Sequence, residues 1–146
     1  KGDGAFTNFL PLGGLPKVVE ALDGAPEGFE VLCRFFCLPG RREEVEPLAR
    51  WMFASYATVP FYEAFFRWLG YGEQIDDMVA AWKRRDRDAA TAAAPWELIE
   101  DIFIFGEPAE MKERLGAYVE GGITLPVLTP VTTPDRFGEL IEALGP

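Results

Sequence analysis

Hydrophobic positions in this chain switch between a period near two and a period near 3.6, and the switches divide it into alternating strands and helices. The stretch from Ile104 to Pro130 shows this most plainly. Pro108 suits a first helical turn, where the N–H it lacks would be unpaired anyway, and Glu107 and Glu110 set negative charge against the positive end of the helix dipole. Met111, Leu115, Tyr118 and Val119 make an apolar stripe at helical spacing, while Glu110, Lys112, Glu113, Arg114 and Glu120 fill the other face. Gly121 and Gly122 are able to take the left-handed conformation that ends a helix. Ile123 to Thr129 follows as a short, β-branched apolar run, the pattern of a strand buried on both faces of a parallel sheet, with an irregular spot where Pro126 removes a ladder donor.

From the start of the chain, Ala5 to Leu10 predicts a strand interrupted by Asn8, and a helix follows from Leu15 to Leu22. Phe29 to Leu38 predicts a second strand. Its parity places Leu32, Arg34 and Phe36 on one face, so a single charge enters an apolar interior. Burying that charge unpaired is costly, and a carboxylate is the expected partner. Helical spacing then runs from Arg41 to Glu100, with helices over 42–56, 61–69 (ended by Gly70) and 75–87, and a short one from Pro95. All four Trp lie here, at 51, 68, 82 and 96. An aromatic-rich helical insertion reads first as core, with the capping of a pocket beside a sheet as the alternative. The charged run at 83–88 reads as a solvated helix end. Thr132, Thr133, Pro134 and Asp135 open a last helix that runs to Leu144. The order implies three parallel βα units joined by right-handed crossovers, in a single domain over 1–146 with a helical insertion at about 41–100.

Composition narrows the chemistry. The net charge is −10 over 146 residues, with three basic and eight acidic side chains from Asp101 onward, which disfavours nucleic acid and anionic membrane surfaces as partners. No apolar run is long enough to cross a bilayer. Cys33 and Cys37, the only cysteines, are about 13 Å apart along a strand and cannot pair with each other there. They read as buried thiols in a reducing, cytoplasmic setting. Without any His, no metal site is expected, and a general acid or base has to be a carboxylate or come from elsewhere. Because the chain opens on Lys, it is expected to have been cut from something longer.

The order of segments resembles a family. Gly2-Asp3-Gly4 followed by AFTNFLPL is similar to the strand written "ADG, apolar, N-F/W-L" in the luciferase-like monooxygenase superfamily, flavin- or deazaflavin-dependent enzymes built on a (β/α)8 barrel. The resemblance continues through FEVLCRFFCL, YATVPFYEAFFRWLGYGE, the Trp82 to Ala90 segment and FGEPAEMKERLGAYVEGGITLPVLTP, where the family reads "GTPEE…L..Y…G". No one of these motifs is specific; their succession over the whole chain carries the likeness.

The resemblance implies α/β architecture as a partial (β/α)8 TIM barrel, about three βα units corresponding to strands six to eight. Three strands cannot close a barrel that needs about eight. Edge strands and inward faces are then left open, to be covered by a homo-oligomer or by a complementary N-terminal half-barrel chain. The implied function is that of a C-terminal fragment or truncated form of a flavin- or F420-dependent oxidoreductase, a monooxygenase or dehydrogenase when complete and inactive alone, with coenzyme F420 ahead of FMN. The alternative is a non-catalytic half-barrel interaction module. Function in such barrels sits at the C-terminal ends of the strands. There Asn8 is the first candidate, suited to hydrogen-bond an isoalloxazine edge or a substrate, with a strand-end amide that satisfies the backbone as its equal alternative. Arg34 follows, with a structural ion pair as its competing role; Phe9 and Phe36 come as packing beside the site, and Thr129 as cap or ligand contact. Tyr56 and Tyr62, with Phe61, fall where the family's insertion borders substrate, but they straddle the Val59-Pro60 break and read first as core packing. No residue can be named as catalytic base.

Overall fold

The nearly unbroken apolar run at the second predicted strand becomes the hub of the sheet. The structure is a computed structural model and describes residues 2–145. Its strands are β1 (Gly4–Asn8), β2 (Glu30–Pro39), β3 (Ile104–Gly106) and β4 (Leu125–Pro130). β2 pairs in parallel with β1 through Glu30 to Arg34, with β4 through Leu32 to Cys37, and with β3 through Cys37 to Pro39. β1 and β4 share the partners Leu32 to Arg34, so they occupy opposite edges of β2. Among the described residues β1 and β4 each pair with β2 alone, and the sheet stays open on both sides. The fold is a parallel α/β arrangement, part of a barrel and not a closed one. β3, only three residues long, adds to the three strands that periodicity predicts.

Successive side chains of a strand point to opposite faces, and in β2 the two faces differ sharply. Val31, Cys33, Phe35 and Cys37 are buried. Of these, Phe35 packs against α7 (Pro108–Glu120), where its ring and that of Tyr118 meet edge to face at 4.6 Å. Leu32 and Arg34, on the other face, are only half-buried.

The start of α7 is the box that its acidic residues predict. The Glu107 N–H donates to Glu110 Oε2 at 2.8 Å, and the Glu107 side chain accepts from the backbone N–H three residues on. Met111, Leu115 and Tyr118 are buried, whereas Val119, read as part of the stripe, is 49% exposed. One position past Tyr118 turns about 100° from it and leaves the core side. The two glycines after α7 also divide their roles. Gly122 is left-handed at φ 118°, but Gly121 is not; a Cβ there would lie 2.3 Å from Leu15 Cδ2 of α1 (Leu15–Ala21), so close approach requires it.

β4 departs from the expectation of burial on both faces: none of its residues is buried, and Leu125 is 44% exposed. It has a neighbour strand on one edge only. Thr124 strengthens that edge, its N–H donating to Val31 O at 2.9 Å and its hydroxyl accepting from the Val31 N–H at 2.8 Å. α8 (Pro134–Leu144) closes the chain, with Leu140 and Leu144 buried.

The chain divides into two compact units, one running to Val45 and resuming at Asp101, the other Glu46–Glu100. The second is helical. It holds most of α2 (Arg42–Ala57), then α3 (Pro60–Leu69), α4 (Gly72–Lys83), α5 (Arg87–Ala92) and most of α6 (Trp96–Ile102). Phe53 and Phe66 meet edge to face at 5.2 Å in its core. Arg50 donates to Glu46 Oε1 and to the Ala94 carbonyl and lies over the Trp96 ring. The helix predicted over 75–87 breaks after Lys83, because Asp86 caps a new one by accepting from the Ala89 N–H at 3.0 Å. The reading of the aromatics as core holds for Phe53, Phe66 and Trp96, but Trp51, Phe61 and Trp68 are exposed.

Both cysteines are buried and free of disulfides. Burial pushes each thiol up to about 12 from an ordinary 9.0, offset in part by hydrogen bonds with the Leu10 backbone for Cys33 and the Thr129 backbone for Cys37. In the folded protein neither should react with a thiol-specific disulfide reagent at neutral pH, and both should react after denaturation. Since the folded value is the raised one, the stability these thiols contribute is complete below pH 9.0 and lost as pH climbs towards about 12. Fast labelling of one thiol in native buffer would contradict this placement.

Candidate functional site

Parallel register sorts the open face of the sheet into rows, because registered partners point the same way. Phe6, Leu32 and Leu125 form the first row, Asn8, Arg34 and Val127 the second, Phe36 and Thr129 the third. The first is apolar and open, with Phe6 60% exposed. Towards the C-terminal ends of the strands the face becomes more enclosed, with Asn8 and Phe36 both buried.

The expected carboxylate partner of Arg34 is not what the fold supplies. Its Nε donates to Asn8 Oδ1 at 3.2 Å, and its guanidinium carbon lies 4.7 Å from the centre of the Phe36 ring. Among the described residues no carboxylate pairs with it. Half-burial explains why the fold tolerates this: the group keeps access to water, and the amide oxygen and the ring quadrupole offset part of its desolvation.

Asn8 ends β1, and Phe9 follows it with φ 52°, a left-handed backbone uncommon for a bulky side chain. Such a conformation costs about 1–3 kcal/mol and persists where the surroundings hold it. They do so here: Phe9 is 1% exposed, its ring 5.2 Å from Phe36 and 5.9 Å from Phe103, and Phe36 and Phe103 are 5.9 Å apart. From the other side, the Tyr118 hydroxyl sits 2.7 Å from both the Leu10 and Asp101 carbonyl oxygens, its one proton serving either.

The fold therefore brings Asn8, Phe9, Arg34 and Phe36 together, with Thr129 in register beside Phe36. Tyr56 and Tyr62 lie in the helical unit, where their rings are 6.2 Å apart and Tyr62 also meets Phe61 at 5.5 Å. Two residues that matter escaped the sequence reading. Phe103 stands between a helix and a three-residue strand, where no period exists to assign it. Tyr118 reads as one more position of an apolar stripe, and only its hydroxyl hints at a buried acceptor.

Chemically the cluster is a buried aromatic core with a guanidinium and an amide at its edge, beside an apolar and open sheet face. Residues 1–125 match the family model described as luciferase-like monooxygenase. No curated protein matches the sequence. Among solved structures the fold is similar to that of the coenzyme F420 dependent tetrahydromethanopterin reductase from Methanopyrus kandleri, with a TM-score of 0.69 at 18% identity. That likeness takes in 99% of this chain and 44% of the reductase, so this chain spans less than half the reductase's length.

Proposed function

The chain belongs to the luciferase-like monooxygenase family, and from that premise we propose that it forms the C-terminal part of a flavin- or F420-dependent oxidoreductase. In this reading its open sheet face is one wall of the cofactor and substrate pocket. The remaining wall comes from a second copy or from a complementary N-terminal half-barrel chain, and the chain alone is inactive. The observation that carries the reading is the open face itself: parallel strands in barrel register, with Phe6 and Leu125 exposed and the Asn8–Arg34 pair beside Phe36. An open apolar face of this kind calls for a cover.

When bound, such a cofactor supplies the hydride chemistry. This chain's part is to place and dry it: the buried Phe9 and Phe36 rings form an apolar floor, Arg34 and Asn8 offer polar groups at its edge, and Thr129 a hydroxyl in register with Phe36. Coenzyme F420 ranks ahead of FMN, supported by the similar fold of an F420-dependent reductase. Absorbance and fluorescence titration with each cofactor, with the chain alone and with a co-purifying partner, tests the reading. A saturable perturbation in at least one state is expected. Absence of any perturbation in every state would favour a half-barrel that serves as an interaction module.

A further inference from the structure

Several described cations have carboxylates at hand: Arg50 has Glu46 at 2.7 Å, and Arg67 has Asp76 at 2.6 Å and Glu63 at 3.1 Å. Arg34, on the open face of the sheet, has none among the described residues, although acidic residues outnumber basic ones by 24 to 14. It sits mid-strand with Asn8 and Val127 as registered neighbours, and the nearest acidic residue on its own strand, Glu30, is four positions back at the opposite end of the sheet face.

The geometry leaves the guanidinium organised for one task. Its Nε is committed to Asn8 Oδ1 and its guanidinium carbon lies 4.7 Å from the centre of the Phe36 ring, two contacts that hold the group and leave the edge carrying the two terminal nitrogens for another partner. That edge is the fork that receives carboxylate or phosphate oxygens in pairs. Thr129, in register with Phe36, adds a hydroxyl to the same face one row further on. The guanidinium thus lies on this face with no carboxylate among the described residues paired to it. The left-handed Phe9, costly for a side chain of that size, holds the end of β1 from which Asn8 projects.

We propose that Arg34, oriented by Asn8 and Phe36, is the seat for an anionic oxygen group, a carboxylate or a phosphate, of the ligand that binds the open sheet face. This rests on the reading of that face as a pocket wall and narrows it: the ligand carries an acid group on the side that meets β2. Arg34 is then a specificity residue and Asn8 its positioning residue.

Nitrogen-15 NMR of the labelled chain tests this with simple anions. Inorganic phosphate and acetate are titrated separately, with ionic strength held constant by chloride, and the Arg34 Nε–H resonance is followed, assigned by its disappearance in Arg34→Gln. A saturable shift is expected with phosphate, acetate or both, and the anion that saturates tells phosphoryl from carboxyl ligands. The backbone amides of Asn8 and Thr129 should shift along the same curve and lose that response in Arg34→Gln. Asn8→Ala should weaken binding by about tenfold through loss of the orienting hydrogen bond to a charged group. No saturation with either anion, or an amide response that persists in Arg34→Gln, would overturn the seat. Anion binding without cofactor binding would leave the seat standing and sink the oxidoreductase reading; cofactor binding with no anion response would do the reverse.

Discussion

Tyr118→Ala is expected to destabilise the fold by about 3–5 kcal/mol, the cost of removing a large ring from a packed core. Tyr118→Phe should cost about 1–3 kcal/mol for the hydroxyl alone. The size follows from what the side chain joins. Its ring closes the helix-covered face of the sheet at Phe35, and its hydroxyl lies between the Leu10 carbonyl just beyond β1 and the Asp101 carbonyl of α6. Asp101 in turn accepts from the Gly13 N–H at 2.9 Å through Oδ2. One substitution therefore loosens strand end, turn and helix together. Because whole domains are stable by only about 5–15 kcal/mol, the Ala variant stands near the edge of folding. Urea unfolding at fixed protein concentration measures both variants, and a Phe variant within about 0.5 kcal/mol of wild type, the range of ordinary surface changes, would show that the carbonyls find other donors.

The same residue marks where sequence reading ends. Periodicity placed Tyr118 correctly in a buried stripe and β2 correctly as a strand with Arg34 turned to the barrel side, because amphipathic period is set by the solvent boundary that each element meets. It missed β3, since three residues do not make a period. It made Val119 part of the stripe, since a helix face is narrower than the run of apolar letters suggests. Arg34 needed a partner by any electrostatic argument, but the choice of an amide and a ring over a carboxylate depends on which residue the register of β1 brings alongside. The left-handed Phe9 has no signature in the sequence at all: nothing in the letters Asn-Phe-Leu distinguishes a strand that continues from one that turns against the rings of Phe36 and Phe103. The exposure of Trp51, Phe61 and Trp68 was equally hidden, because composition counts aromatic residues and does not say which way they face.

The second large effect concerns association. Phe6 and Leu125 are 60% and 44% exposed on an apolar row with Leu32 between them, and β1 and β4 each present an edge that no described strand pairs. Backbone donors along such an edge and apolar surface beside it favour addition of further strands. Sedimentation equilibrium of the chain by itself should therefore give a mass above 16.3 kDa. Replacing Phe6 and Leu125 together by Ser removes apolar surface that is still open in the single chain and leaves the helix-covered face untouched. If association buries roughly half of each side chain, at about 1.5–3 kcal/mol for a whole one, the pair contributes about 2 kcal/mol, or about thirtyfold in the association constant. The variant should retain the wild-type far-ultraviolet circular dichroism while dissociating at concentrations where the wild type remains assembled. A complementary N-terminal half-barrel chain, if it is the natural cover, should compete with self-association for the same face and should also lose affinity with the double variant. A wild-type chain that sediments as a 16.3 kDa monomer and unfolds in one sharp transition would mean that the open face is stable in water, and the argument for a barrel completed from outside would fall with it.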